Sequence, residues 1–101
     1  MLANQTRIFA GPAFGLGFYR AGLFSRAFVF DANRRGINDE LPLPPSAGVV
    51  FDMNATLDEE RAWAFFALRQ AGKVRHHCLV YSRAGRLEAS AEAELAAAGP
   101  V

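Results

Sequence analysis

Cysteine is nearly absent from this sequence, and the single residue Cys78 excludes both an intrachain disulfide and a zinc site built from several cysteines. An excess of positive charge is also missing, because eleven Lys and Arg face ten Asp and Glu. This balance argues against a domain that binds nucleic acid mainly through phosphates. No apolar run reaches the roughly 18 residues of a membrane span, and the start MLANQTRIF lacks the basic and apolar segments of a targeting signal. We therefore expect a cytoplasmic protein without a membrane partner.

Polar low-complexity sequence is missing too, since 51% of the residues are hydrophobic and only 21% are charged. A chain of this composition buries enough apolar surface to fold, which excludes a disordered tail. Its length suits one small domain with one core, spanning residues 1–101, or a fragment of a larger fold.

Short apolar segments bounded by turn-forming residues predict β-strands. AFVFD (27–31) and GVVFD (48–52) are rich in aromatic and β-branched residues. The alternation in LEASAEAEL (87–95) predicts a further strand to about residue 91. The proline cluster after residue 41 indicates a connecting segment.

A glycine-rich stretch, GPAFGLG (11–17), has the appearance of a phosphate-binding loop. It lacks the Lys-Ser/Thr of a P-loop and the spacing G-x-G-x-x-G of a dinucleotide site. We interpret it as a flexible turn.

The segment NATLDEERAWAFFALRQAG (54–72) allows two interpretations. Thr56 followed by Glu59 is a capping-box pattern and Gly72 is a helix stop, which together predict a helix at about 56–71 and an α+β fold. The continuous apolar run 62–68 equally suits a strand that is buried on both faces. We expect the strand and a mainly β fold, with the α+β fold as the alternative.

An internal repeat supports the strand. FYRAGLFSRAFVFDANRRGI (18–37) and ALRQAGKVRHHCLVYSRAGRL (67–87) share the order of apolar pieces, arginines and glycine turns, with matched residues 49 to 51 positions apart. The repeat predicts antiparallel hairpins in two blade-like units, at about 12–45 and 48–95. The matched pairs are Arg20 with Arg69, Gly22 with Gly72, Phe28 with Leu79, and Gly36 with Gly85.

The second unit resembles one blade of bacterial β-propeller repeat proteins over DEERAWAFFALRQAGKVRHHCLVYSRAGRLEASAE (58–92). In such a blade, a Trp-bearing strand is followed by a strand that ends in an apolar triplet and a glycine turn. The resemblance implies a non-enzymatic protein-interaction or scaffold module without a cofactor. Two units cannot close a ring of typically four to eight blades, so we expect self-association or a protein partner.

A second resemblance defines a candidate binding surface. FGLGFYR (14–20) and AFVF (27–30) resemble the paired aromatic motifs of cold-shock domains, without their leading Lys-Trp. This resemblance implies a single-stranded nucleic-acid-binding β domain whose aromatic rings stack on bases and whose arginines contact phosphates. It is the alternative function, and nucleic acid is not the favoured partner. The residues of the surface are Phe18, Tyr19, Arg20, Arg26, Phe28 and Phe30.

The stretch KVRHHCLVY (73–81) contains both histidines and the cysteine. As a strand it places His76 and Cys78 on one face and His77 on the other. A catalytic zinc needs three protein ligands and a structural one four, and only carboxylates remain to complete the set. We therefore expect a strand with no metal site and no catalytic residue, and an enzyme of unrecognised type is a further alternative.

Overall fold

The computed structural model describes residues 5–22, 24–44 and 49–94. These residues form two four-stranded antiparallel sheets, each with its strands in chain order. The first sheet contains β1 (Gln5–Ala10), β2 (Phe14–Ala21), β3 (Phe24–Asp31) and β4 (Gly36–Asn38). The second contains β5 (Val49–Leu57), β6 (Arg61–Gln70), β7 (Lys73–Ser82) and β8 (Leu87–Glu94). The predicted mainly β fold of hairpins in two blade-like units is confirmed.

The helix considered for residues 56–71 is wrong, because this segment is the end of β5, a turn and β6. Along β6 every second side chain is buried, as on a strand whose two faces meet different surroundings. Asp58, which lies between the two residues of the predicted capping box, instead closes the β5–β6 turn. The Asp58 carboxylate accepts hydrogen bonds from the backbone N–H groups of Glu60 and Arg61, both at 2.7 Å, and these bonds hold the pKa of Asp58 below its usual value.

Three further interpretations of the sequence need correction. GPAFGLG is not a flexible turn throughout, because β2 begins at Phe14. The first sheet begins at Gln5, so the predicted unit 12–45 leaves out β1. The tail strand β8 continues to Glu94, three residues past its predicted end.

The hairpins of the two sheets correspond. The β2–β3 and β6–β7 loops each contain two residues, since Ala21 pairs with Phe24 and Gln70 with Lys73. Residues 71 and 72 both have positive φ, 51° and 78°, which is typical of a type I′ turn. Counted from these loops, equivalent residues of β2 and β6 lie 49 positions apart, as the pair Arg20 and Arg69 predicts.

The next turns correspond with an offset of 51. Arg34 N–H donates to the carbonyl of Asp31, and Gly85 N–H donates to the carbonyl of Ser82, each at 2.9 Å. Arg34 and Gly85 also share a positive φ, 63° and 82°. Gly85 is therefore the counterpart of Arg34, and its predicted match with Gly36 is wrong.

The core lies between the two sheets and consists of one face of each. At its centre the rings of Phe18 and Phe66 meet edge to face, with centroids 5.8 Å apart. Polar contacts join the sheets around this core. Asn38 Nδ2 donates to the carbonyl of Gly85 at 2.9 Å, and the Tyr81 hydroxyl donates to the carbonyl of Pro42. The buried apolar residues are Phe14, Leu16, Phe18, Ala27, Val29, Leu41, Val50, Met53, Ala62, Ala64, Phe66, Leu68, Leu79 and Tyr81.

Within the described part of the chain, no helix is long and apolar enough to cross a membrane.

Candidate functional site

The outer face of the first sheet is apolar, although the second sheet does not cover it. Antiparallel register places residues of three strands side by side in two rows on this face. One row runs from Ile8 through Gly17 to Phe28, and the other from Ala10 through Gly15 to Phe30. We call this surface the aromatic face, defined by Ile8, Ala10, Gly15, Gly17, Tyr19, Arg26, Phe28 and Phe30.

The phenyl rings of Phe28 and Phe30 lie directly over the two glycines. A Cβ atom on Gly17 would lie 2.1 Å from Cζ of Phe28, and a Cβ on Gly15 would lie 2.1 Å from Cζ of Phe30. The rings therefore lie across β2, over positions without a side chain, with their centroids 6.3 Å apart. Such aromatic cover protects glycine in a sheet, and it keeps the rings low on the surface.

A groove of about 540 Å³ opens beside these rings. Its lining is apolar apart from the side chain of Arg34, and Ile8 on its wall is 56% exposed. An apolar groove with a single charged residue at its lining is a candidate binding surface. The lining residues are Ile8, Ala10, Phe28, Phe30, Arg34 and Gly36.

The predicted binding surface is divided between the two faces of the sheet. Tyr19, Arg26, Phe28 and Phe30 lie together on the aromatic face. Phe18 and Arg20 have the opposite parity on β2 and are buried between the sheets. These two residues cannot stack on a base or contact a phosphate, so the prediction needs correction for them.

Arg20 is 6% exposed, which is unusual for a charged residue. Its Nε and Nη1 atoms have no hydrogen-bond partner among the described residues. Arg20 lies opposite Gln5 and Ser25 in the register of the first sheet, on the inner face. Its guanidinium is therefore part of the intersheet packing and not of an outer binding surface.

The outer face of the second sheet is apolar in the middle of β6, β7 and β8, next to the polar residues Asn54 and Thr56 of β5. Here Trp63 lies opposite Val80, which in turn lies opposite Ala89, and Phe65 lies opposite Cys78, which lies opposite Ala91. Phe65 is 49% exposed, and its row contains Asn54 of β5 besides the small residues Cys78 and Ala91. We call this surface the alanine face, defined by Trp63, Phe65, Cys78, Val80, Ala89 and Ala91.

The stretch KVRHHCLVY is β7, which confirms the predicted strand. Partial burial raises the pKa of the Cys78 thiol and so disfavours the nucleophilic thiolate. His77 is buried on the inner face, whereas Cys78 belongs to the alanine face. In residues 5–22, 24–44 and 49–94, no cluster of three or more His, Cys, Asp or Glu side chains could hold a metal ion.

Sequence reasoning missed the groove and the alanine face. The signal for the groove is the alternation of large residues and glycine in FGLGF (14–18), because glycine inside a strand marks a place where another group approaches closely. The signal for the alanine face is the placement of Ala89 and Ala91 on one parity of a strand whose other parity is polar.

Comparison of the chain with protein-family models, with curated proteins and with solved structures gives no match. The resemblance to propeller blades and the function it implies therefore stay predictions.

Proposed function

We propose that this chain is a non-enzymatic protein-interaction or scaffold module, and that a protein partner binds on the aromatic face. The observation that carries the proposal is the apolar groove beside Phe28 and Phe30, on a sheet whose opposite face already packs in the core. Water-exposed apolar surface in one contiguous area is the usual starting point of a protein–protein interface.

The lining supports a partner segment with a defined chemistry. Covering a side chain such as Ile8 or Phe28 is worth up to about 1.5–3 kcal/mol, which favours an apolar residue of the partner in the groove. Arg34 at the lining favours a carboxylate of the partner nearby, because a guanidinium pairs with a carboxylate through two parallel hydrogen bonds. We expect the partner to present an aliphatic or aromatic residue beside an acidic one.

Selection from a displayed library of random peptides tests this proposal. Peptides selected on the wild-type chain should contain the apolar and acidic pair, and Ile8→Glu should weaken their binding at least about tenfold by placing a carboxylate in the groove. Leu87→Glu is the matched control, because Leu87 is 41% exposed and lies outside both outer faces. Equal binding to the wild-type chain and to Ile8→Glu would place the binding surface elsewhere.

A second function has one specific observation in its favour. Tyr19, Arg26, Phe28 and Phe30 share the aromatic face, which supports a surface that stacks single-stranded nucleic acid. Fluorescence anisotropy with a labelled oligothymidine separates the two proposals. Nucleic-acid binding should weaken steeply as salt increases, whereas a protein-interaction module should leave the anisotropy unchanged.

A further inference from the structure

Apolar residues of the two outer faces occupy positions whose counterparts are buried. The β3–β4 and β7–β8 turns set an offset of 51. Phe28 and Phe30 therefore correspond to Leu79 and Tyr81 of the second sheet. Both counterparts are buried in the core, at 3% and 0% exposure. The aromatic face is thus the equivalent of the covered face of the second sheet.

The same relation holds in the other direction. With the offset of 49 set by the two-residue loops, Trp63 and Phe65 correspond to Phe14 and Leu16 of the first sheet. Phe14 and Leu16 are buried in the core. The alanine face is therefore the equivalent of the covered face of the first sheet.

The cause of this relation is parity. Side chains alternate along a strand, so an odd offset moves an equivalent residue to the opposite face. Both offsets are odd. The face of the first sheet that is buried in the core and the face of the second sheet that is buried there are therefore not equivalent faces of the repeat. The intrachain contact is heterologous, like the contact between successive units of a stack.

We infer that the aromatic face of one copy of this chain receives the alanine face of a second copy, in a contact that repeats the packing of the two sheets within the chain. This inference rests on the proposed function, because it uses the same groove as the docking site. The exposed ring of Phe65 lies on the alanine face, and the groove beside Phe28 and Phe30 is an apolar hollow on the aromatic face that could receive it.

Heterologous contacts define the assembly that should form. Each copy leaves one aromatic face and one alanine face, so contacts continue until a ring closes, or they extend into a filament. Each copy contributes two sheets, and a ring of roughly four to eight blades would contain about two to four copies. A dimer in which two aromatic faces meet is not expected, because each copy would then leave its alanine face exposed.

Complementation between two variants tests the inference. Ile8→Glu disables the aromatic face and leaves the alanine face intact, and Phe65→Glu does the opposite. In sedimentation velocity over a roughly hundredfold range of concentration, the wild-type chain should associate and each variant alone should be a monomer. An equimolar mixture should form a 1:1 complex, because each variant supplies the face that the other lacks. Leu87→Glu should associate like the wild-type chain, and circular dichroism verifies that each variant is folded.

Other outcomes would overturn the inference. If Phe65→Glu still associates while Ile8→Glu does not, the aromatic face meets itself or another surface. If wild-type and variant chains are monomers at all concentrations and do not combine, a second copy is not the occupant. Neither result contradicts the proposed function, because the peptide selection measures partner binding on the aromatic face without requiring self-association. If Ile8→Glu does not fold, Ala10→Glu places the same charge on the same wall of the groove.

Discussion

Replacement of Gly85 by alanine tests how the two sheets are held together. Gly85 has a φ of 82°, in the region that disfavours residues with a Cβ atom. Its carbonyl accepts the hydrogen bond from Asn38 at 2.9 Å, and a Cβ on Gly85 would lie 2.6 Å from Cβ of Asn38. Cβ atoms cannot rotate away, so the β7–β8 turn and the end of β4 must separate to admit the methyl group.

Gly72 supplies the matched control. Its φ is 78°, nearly the same as that of Gly85, but an added Cβ would meet no atom of the described residues within 4 Å. Gly72→Ala should therefore lower the free energy of unfolding by the backbone term alone, about 1–2 kcal/mol. Gly85→Ala adds the lost hydrogen bond, about 0.5–1.5 kcal/mol, and the displaced packing at Asn38, for a total of about 2–4 kcal/mol.

Urea denaturation at one fixed protein concentration measures both changes, because self-association would make the apparent stability depend on concentration. A double-mutant cycle with Asn38→Ala isolates the hydrogen-bond part of the contact between Gly85 and Asn38. We expect Gly85→Ala to be less destabilising in the Asn38→Ala background, because the hydrogen bond is already absent there, although the crowding at Cβ of residue 38 remains. Equal effects of Gly72→Ala and Gly85→Ala in the wild-type background would refute the contact between Gly85 and Asn38.

Four further predictions follow from buried or crowded groups. Burial raises the pKa of the Tyr81 phenol above its ordinary value, so the unfolded chain ionises first. The contribution of Tyr81 to stability should be constant below about pH 9 and decrease as the pH rises above about 10, and Tyr81→Phe should reduce the loss of stability between about pH 8 and 11 in urea titrations. Iodoacetamide should alkylate Cys78 at least about tenfold more slowly in the folded chain than in urea, and equal rates would refute its protection. Excess zinc should leave the melting temperature unchanged, and a saturable rise would reveal a site. Gly17→Ala should weaken groove-binding peptides about tenfold, because the Phe28 ring must move, whereas unchanged affinity would mean that the ring is not part of the site.

The fold class was predictable because its signals are local. Apolar segments between turn formers predicted β3, β5 and β7, and the repeat correctly favoured a strand over a helix at β6. Two of the four repeat anchors, Arg20 with Arg69 and Phe28 with Leu79, agree with the offsets that the turns define. The match of Gly36 with Gly85 failed because residue identity is a poor guide to turn geometry: the equivalent left-handed position in the first sheet is Arg34.

The binding surface was predicted less well because exposure depends on which face of a sheet the second sheet covers. Aromatic residues at 18, 19, 28 and 30 looked alike in sequence, yet parity on β2 buries Phe18 and leaves Tyr19 outside. A near-neutral chain with many phenylalanines does not reveal which of them form the core. The core residues are those on the faces where the two sheets pack together, and that packing is not a local property of the sequence.

Strand β2 contributes residues to both the core and the aromatic face, and the glycines of FGLGF make this possible. On β2 the inward positions are large, Phe14, Leu16 and Phe18, and the outward positions between them are glycine. The neighbouring strand β3 has the reverse order, with the small residue Ala27 directed inward opposite Phe18 and the rings of Phe28 and Phe30 directed outward over the glycines. At these positions a small residue on one strand lies opposite a ring on the other, and the rings from β3 occupy the space above the glycines on the outer face of β2. A side chain at either glycine would lift a ring from the sheet and remove one wall of the groove, so the same two positions determine both the cover of the sheet and the shape of the surface offered to a partner.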